Sequence, residues 1–210
     1  TGHHYYYIGV NKIWLIVGGI FSALEPLAFL AMALFAVNMY RKGEKSHPNK
    51  IALFWTIGSA IVSFVGAGLL GFAHTLPQVN IYTHGTLVTA MQGHYAFWGA
   101  YAMIVFAIIS YALPNLTGRK RYDSTQGYLA VWLSNIGILG MTVAFGVAGV
   151  AQVYLERKMK MEFGDVQNEI AVHFVVLLIC ATLFTVGISM FIYDFIKYGR
   201  PTDEALEETK

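Results

Sequence analysis

Five stretches of this chain are apolar for longer than the roughly 18–20 residues a helix needs to cross a bilayer core. That repetition constrains the fold more than any motif does. They run over about 13–40, 51–73, 84–113, 128–155 and 170–198. Breaker residues separate them: Gly43 and Pro48, then Pro77 and Asn80, then Pro114 and Gly118, then Gly164. Charged residues are 12% of the chain, half the roughly 25% of a soluble domain. The expected fold class is an all-α membrane protein with five transmembrane helices. It forms a single transmembrane domain over 1–210, and 201–210, with Asp203, Glu204, Glu207 and Glu208, form a charged solvated tail. No internal repeat or low-complexity tract is visible.

The basic residues set an orientation. Arg41, Lys42, Lys45, Lys50, Arg119, Lys120, Arg121, Lys197, Arg200 and Lys210 fall on one side, ten in all; Lys12, Arg157, Lys158 and Lys160 fall on the other. The positive-inside rule puts the ten-residue side, and the C-terminus with it, in the cytoplasm. His3, His4, His84 and the start of the third run then lie toward the outer face. The net charge of +2 is too small to imply nucleic-acid binding. The single Cys180 excludes a disulfide scaffold and reads as a buried, inert thiol. The chain opens on Thr1 with no signal peptide, as part of a longer or split protein would.

Polar residues at membrane depth are the candidates for chemistry. His3 and His4 are adjacent at a membrane boundary, and His94 lies inside the third run. Neutral imidazole binds iron, copper or zinc through one ring nitrogen, so the set points to metal or haem in the bilayer. Taken alone, His94 also fits a satisfied polar residue of a bundle core. Glu25, in Ser22-Ala-Leu-Glu-Pro26, is the carboxylate farthest from any loop. It costs several kcal/mol in lipid unless paired, solvated or protonated. Pro26 frees a backbone carbonyl one turn back, so Glu25 is either protonated and bonded locally, or a supporting metal ligand, a proton carrier, or both. Gln92 and His94 are two apart, about 200° on a helix, and face opposite sides of the third span. His84 is expected about two and a half turns above His94 and suits an anionic group at the membrane edge. His74 and His173 read as interfacial or as supporting a ligand, His47 as solvated. Gly66 and Gly68 suit close helix packing or room for a planar cofactor.

Several motifs carry a resemblance. They are Thr1-Gly-His-His-Tyr5, Phe21-Ser-Ala-Leu-Glu-Pro26, Gly71-Phe-Ala-His-Thr-Leu-Pro-Gln-Val-Asn80, Tyr82-Thr-His-Gly-Thr86, Gly93-His-Tyr-Ala-Phe97, Ser110-Tyr-Ala-Leu-Pro114 and Val172-His-Phe-Val-Val176. Across essentially its whole length the chain resembles the C-terminal part of the catalytic, haem b-containing subunits of bacterial nitric oxide reductases, in the haem-copper oxidase superfamily. The resemblance implies the last five helices of a twelve-helix bundle. It implies a low-spin haem b, a high-spin haem b and a non-haem iron, with calcium bridging haem propionates as a further possibility. His3 and His4 match two of the three histidines on the iron. Glu25 matches a glutamate that completes the iron site and delivers protons, His94 an axial ligand of the low-spin haem, and His84 a propionate contact. The third iron histidine and the second low-spin ligand belong to helices outside this chain.

Gln92 departs from the family pattern. The motif there is His-Gly-His, its first histidine being the proximal ligand of the high-spin haem, whereas this chain reads Gln92-Gly93-His94. An amide oxygen is a poor donor to haem iron. It favours a four-coordinate or water-ligated iron, or a haem held by propionates and packing alone. The implied reaction is two-electron reduction of two NO to N2O and water. The implied partners are the N-terminal helices of the same subunit, on the same or a separate chain, a membrane-anchored cytochrome c subunit (quinol being the other donor), the lipid bilayer and NO. The implied location is the bacterial inner membrane. Rival readings are an oxidase or NO dismutase relative, a degenerate haem-binding subunit disabled at Gln92, and a transporter using histidines as proton relays.

Overall fold

A computed structural model describes residues 2–43, 49–118 and 124–198, without the side chains of Gly2, His4 and Tyr198. His47, Lys45, Arg119, Lys120, Arg121, Arg200 and the tail 201–210 lie outside the described residues. The described residues are helical, with five helices long and apolar enough to cross a membrane: Lys12–Lys42, Lys50–Thr75, Leu87–Leu116, Thr125–Lys158 and Ala171–Lys197. These are spans 1 to 5, and they match the five apolar runs.

Span 1 is two helices, α1 (Lys12–Ala23) and α2 (Glu25–Lys42), broken at Leu24. Pro26 cannot donate a helical hydrogen bond, so it sits in the first turn of α2, where none is needed. Glu25 is therefore the first residue of a new helix rather than a mid-helix residue. Span 2 joins α3 (Lys50–Ser63) through a π-helical segment, Phe64–Leu70, to α4 (Gly71–Thr75). At its start Asn49 caps α3, accepting from the Ala52 amide at 3.0 Å, and donates to the Ser110 carbonyl of span 3 at 2.7 Å.

A short helix, α5 (Pro77–Thr83), follows. The chain then reverses at Gly85, whose φ of +73° suits glycine. Span 3 begins at Leu87, not at 84 as the apolar run suggested, so His84 lies in the reversal and not on the helix of His94. Thr86 stops α5 and starts the next helix: its hydroxyl donates to Thr83 O at 2.7 Å and accepts from Val88 N at 3.3 Å. Span 3 runs as α6 (Leu87–Phe97), a π-helical segment Trp98–Ala102, and α7 (Met103–Leu116). Pro114 lies inside α7 and does not mark its end. Span 4 is α8 (Thr125–Val153) with a π-helical end, Tyr154–Lys158; α9 (Phe163–Glu169) leads into span 5, α10 (Ala171–Tyr198).

The core lies among spans 2 to 5. Trp55 and Met103 are fully buried, and the Trp55 ring meets Phe106, Trp98 and Phe191 at centroid distances of 5.1, 6.0 and 6.1 Å. Backbones come into contact where glycine removes the side chain. A Cβ on Gly66 would lie 2.7 Å from Ala96 N, one on Gly99 2.6 Å from Ser63 N, and one on Gly137 2.5 Å from Phe184 N. A Cβ on Gly68 would lie 3.6 Å from Phe29 Cβ and Pro26 Cα of span 1. The gap considered for a planar cofactor at Gly66 and Gly68 is thus closed by neighbouring helices. Cys180 packs half-buried against Gly140. In spans 1 and 5 only 6% of the apolar window is buried, against 39% in spans 2 and 4, so the two outer spans present broad apolar faces.

Candidate functional site

One end of the unit is organised around Gly2–Tyr5, a single 3-10 turn that carries His3 and His4. His3 is half-buried; the His4 side chain is outside the described residues. Two of the following tyrosines fasten this turn. The Tyr6 hydroxyl donates to the Thr75 carbonyl at the end of span 2 at 2.6 Å and lies over Gly19 of α1. Burial, and behind it the neighbouring Tyr7, pushes the Tyr6 phenol above its usual range. The Tyr7 ring stacks on His84, with centroids 4.1 Å apart and planes 26° apart. His84 is exposed, and it joins the His3–His4 segment through Tyr7 although some 80 residues separate them.

Glu25 is half-buried at the break in span 1. A carboxylate in the first turn of a helix meets the positive end of its dipole. His74 is buried at 5% exposure rather than interfacial. Its Nδ1 lies 2.9 Å from Leu70 O and so carries the proton, leaving Nε2 buried with no hydrogen-bond partner among the described residues. His173 lies half-buried at the start of α10, with Nδ1 3.1 Å from Ile170 O.

Gln92 and His94 diverge as their spacing implied. The Gln92 amide turns to span 2, with Nε2 3.8 Å from where a Gly71 Cβ would stand. His94 is exposed, and its ring stacks on Phe145 of span 4 at 5.1 Å and 29°. Its Nδ1 is 2.8 Å from Ala90 O. A carbonyl only accepts, so Nδ1 is the protonated nitrogen and Nε2 keeps the lone pair. That tautomer, fixed by a backbone carbonyl, is the one metal-ligating histidines use.

The residues therefore fit different groups unequally. His94 fits an axial haem ligand. His3 and His4 have the donor chemistry for iron. Among the described residues, however, no group of three or more His, Cys, Asp or Glu is placed to hold a metal ion. Gln92 does not fit a proximal haem ligand, because its donor is weak and its amide approaches Gly71. Sequence reasoning missed Tyr6, Tyr7, Phe145 and Gln152. The last two hold the helix of His94. A readable trace of Gln152 is an amide near the end of an apolar span with Glu156 four residues on, the spacing of helix neighbours.

Comparison with known proteins bears on this arrangement. The family model for cytochrome c and quinol oxidase polypeptide I matches residues 1–183. A nitric oxide reductase subunit of Stutzerimonas stutzeri is 44% identical over 208 residues, which cover 95% of this chain and 44% of that protein. Cytochrome c oxidase subunit 1 of Corynebacterium diphtheriae is 27% identical over 86 residues, 41% of this chain and 15% of that protein. The chain thus spans less than half the length of these relatives.

Proposed function

The chain belongs to the cytochrome c and quinol oxidase polypeptide I family, and on that premise we propose that it is part of the catalytic subunit of a respiratory nitric oxide reductase. The reaction is 2 NO plus two electrons and two protons to N2O and water, in the inner membrane of a bacterium, with the C-terminus cytoplasmic. The reductase is favoured over an oxidase because similarity to the reductase subunit runs over 95% of the chain, and similarity to the oxidase subunit over 41%. The observation that carries the reading is His94, an exposed histidine within span 3 whose Nδ1 is bonded to Ala90 O at 2.8 Å, which leaves Nε2 as the nitrogen with a lone pair. A transporter has no need of an imidazole held in the ligating tautomer on an open face.

When bound, the haems and the non-haem iron supply one-electron transfer and adjacent metal positions for two NO molecules, so that proximity replaces a slow encounter. The chain's own residues have distinct tasks. His94 would hold the low-spin haem through Nε2, with the N-terminal helices of the subunit completing its site. His3 and His4 supply two iron ligands from one turn, which Tyr6 and Tyr7 anchor to Thr75 and His84. Glu25 holds a proton on its carboxyl at the start of α2 and passes it inward from the outer side. His84, exposed and stacked on Tyr7, would bind a haem propionate, and calcium at the propionates belongs to the same reading. A membrane-anchored cytochrome c subunit is the proposed electron donor.

Gln92 favours a second reading, a haem-binding subunit without a working high-spin site, because its amide packs toward Gly71. Anaerobic turnover of isotopically labelled NO by the native assembly, followed as labelled N2O by mass spectrometry, separates the two. Sustained N2O that disappears on Glu25→Ala supports the reductase. No N2O from a folded, haem-loaded complex, with activity gained on Gln92→His, supports the degenerate subunit.

A further inference from the structure

Span 4 touches span 3 at successive turns, and each contact bears on the helix of His94. At the outer end, Gln152, buried at 4% exposure, accepts a hydrogen bond from the Leu87 amide at 2.9 Å. Leu87 is the first residue of α6, and its N–H is among those a helix cannot satisfy internally. The Gln152 amide is itself oriented by Glu156, to which its Nε2 donates at 2.8 Å. One turn inward, Gly149 admits the α6 backbone: a Cβ there would meet Val88 N at 2.4 Å. Gly146 receives Met91, whose sulfur would lie 2.8 Å from an added Cβ. Phe145 then lies against His94, ring on ring. Residues 152, 149 and 145/146 share one face of α8, and 87/88, 91 and 94 share one face of α6. A slide or rotation of α6 would break this whole row.

The contact with His94 is of a different kind from the rest. The bond from Nδ1 to Ala90 O fixes one ring nitrogen. The plane of the ring is met by Phe145, whose own ring lies 5.1 Å away and 29° from parallel. Offset-stacked rings prefer near-parallel planes. Resting on the reading of His94 as an axial ligand, we propose that Phe145 is a positioning residue that sets the plane of the His94 imidazole on the low-spin haem, while Gln152 sets the height at which α6 presents it. The g tensor of a ferric low-spin haem depends on the angle between its two axial ligand planes, and its potential depends on ligand orientation and hydrogen bonding. Phe145 therefore tunes the electron relay without touching substrate.

The test uses the complete native assembly and reads the low-spin haem by electron paramagnetic resonance and redox titration. Phe145→Leu is expected to keep the haem b content and the low-spin optical band. It should shift the largest g value and move the midpoint potential, and Phe145→Tyr, which keeps the ring, should restore both. Gln152→Leu should broaden the same signal by loosening α6. If Phe145→Leu does not accumulate, Phe145→Met, also unbranched at Cβ and near the original volume, carries the same expectation. An unchanged g value and potential in the ringless variant would reduce Phe145 to packing and overturn the proposal. Persistence of the low-spin signal in His94→Ala is a separate outcome: it would sink the assignment of His94 itself.

Discussion

Gly66→Ala should be one of the most damaging single-methyl substitutions in this chain. Gly58→Ala, which is nominally tighter, should be mild. An added Cβ on Gly66 would lie 2.7 Å from Ala96 N, 2.8 Å from Tyr95 C and 2.9 Å from Ala96 Cα, all of them backbone. The first is about 0.7 Å short of the 3.4 Å where ordinary contact begins. Backbone inside a helix cannot step aside alone, so spans 2 and 3 must part along the line that positions α6. Overpacking of this kind costs about 1–3 kcal/mol, and the reciprocal contact of Gly99 on Ser63 and Val62 loosens with it. At Gly58 the nearest atom is Met103 Cε at 2.5 Å, the end of a flexible side chain that can rotate away. Its cost should stay below about 1.5 kcal/mol, in the range of tolerated core swaps. Equilibrium unfolding of the full assembly in mixed micelles, with the haem band followed in parallel, gives both values. A Gly58→Ala cost equal to or above that of Gly66→Ala would refute the reasoning, since it would mean that distance alone governs and not what the neighbouring atom is attached to.

Ser124→Ala removes a cap to Gly127 N at 3.0 Å and a hydroxyl donated to the buried Asp194 carboxylate, tying spans 4 and 5 together. A loss of about 2–4 kcal/mol is expected from the cap and the charge-assisted bond together, largely recovered by Ser124→Thr in the same unfolding assay. Tyr6 has a folded-state pKa above its unfolded value of 10.0 because burial disfavours the phenolate. Its contribution is thus fully present below pH 10 and lost as pH rises through the folded value. Wild type should lose thermal stability between pH 9 and 11 relative to Tyr6→Phe, which lacks the ionisation, and parallel losses in the two proteins would rule this out. His94→Ala should remove one haem b from the assembly, counted by pyridine haemochrome; an unchanged count would contradict its assignment.

The spans were legible because lipid admits few alternatives to a long apolar helix, and the divergence of Gln92 and His94 followed from helix geometry alone. The start of span 3 was not. Residues 84–86 sit beside an apolar run, and only the positive φ at Gly85 and the two-way capping by Thr86 separate α5 from α6. Gly66 and Gly68 were ambiguous because a glycine reads the same whether a helix or a cofactor fills the space beside it. Phe145 was unreadable, since one aromatic in an apolar helix looks like any other until its neighbour is known. The link between His84 and the His3–His4 segment passes through Tyr7, a contact that no spacing rule reaches. The π-helical segments leave no compositional mark at all.

Those segments carry a consequence for insertions and deletions. A π turn holds one more residue than the α turn it replaces, and each residue of an α-helix advances the facing by about 100°. The segment Trp98–Ala102 begins four residues after His94 and separates the two halves of span 3, α6 and α7. Loss of one codon there would leave length, apolarity and every ligand identity nearly untouched. The residue lost would be the extra one of the π turn, so the segment would close to α-helix with the facing of His94 relative to α7 and the core around Met103 little changed. A single-residue gap in an alignment across 98–102 therefore marks a relative whose turn is α-helical there, whereas the same gap inside α6 or α7 would turn the two halves of span 3 by about 100° against each other.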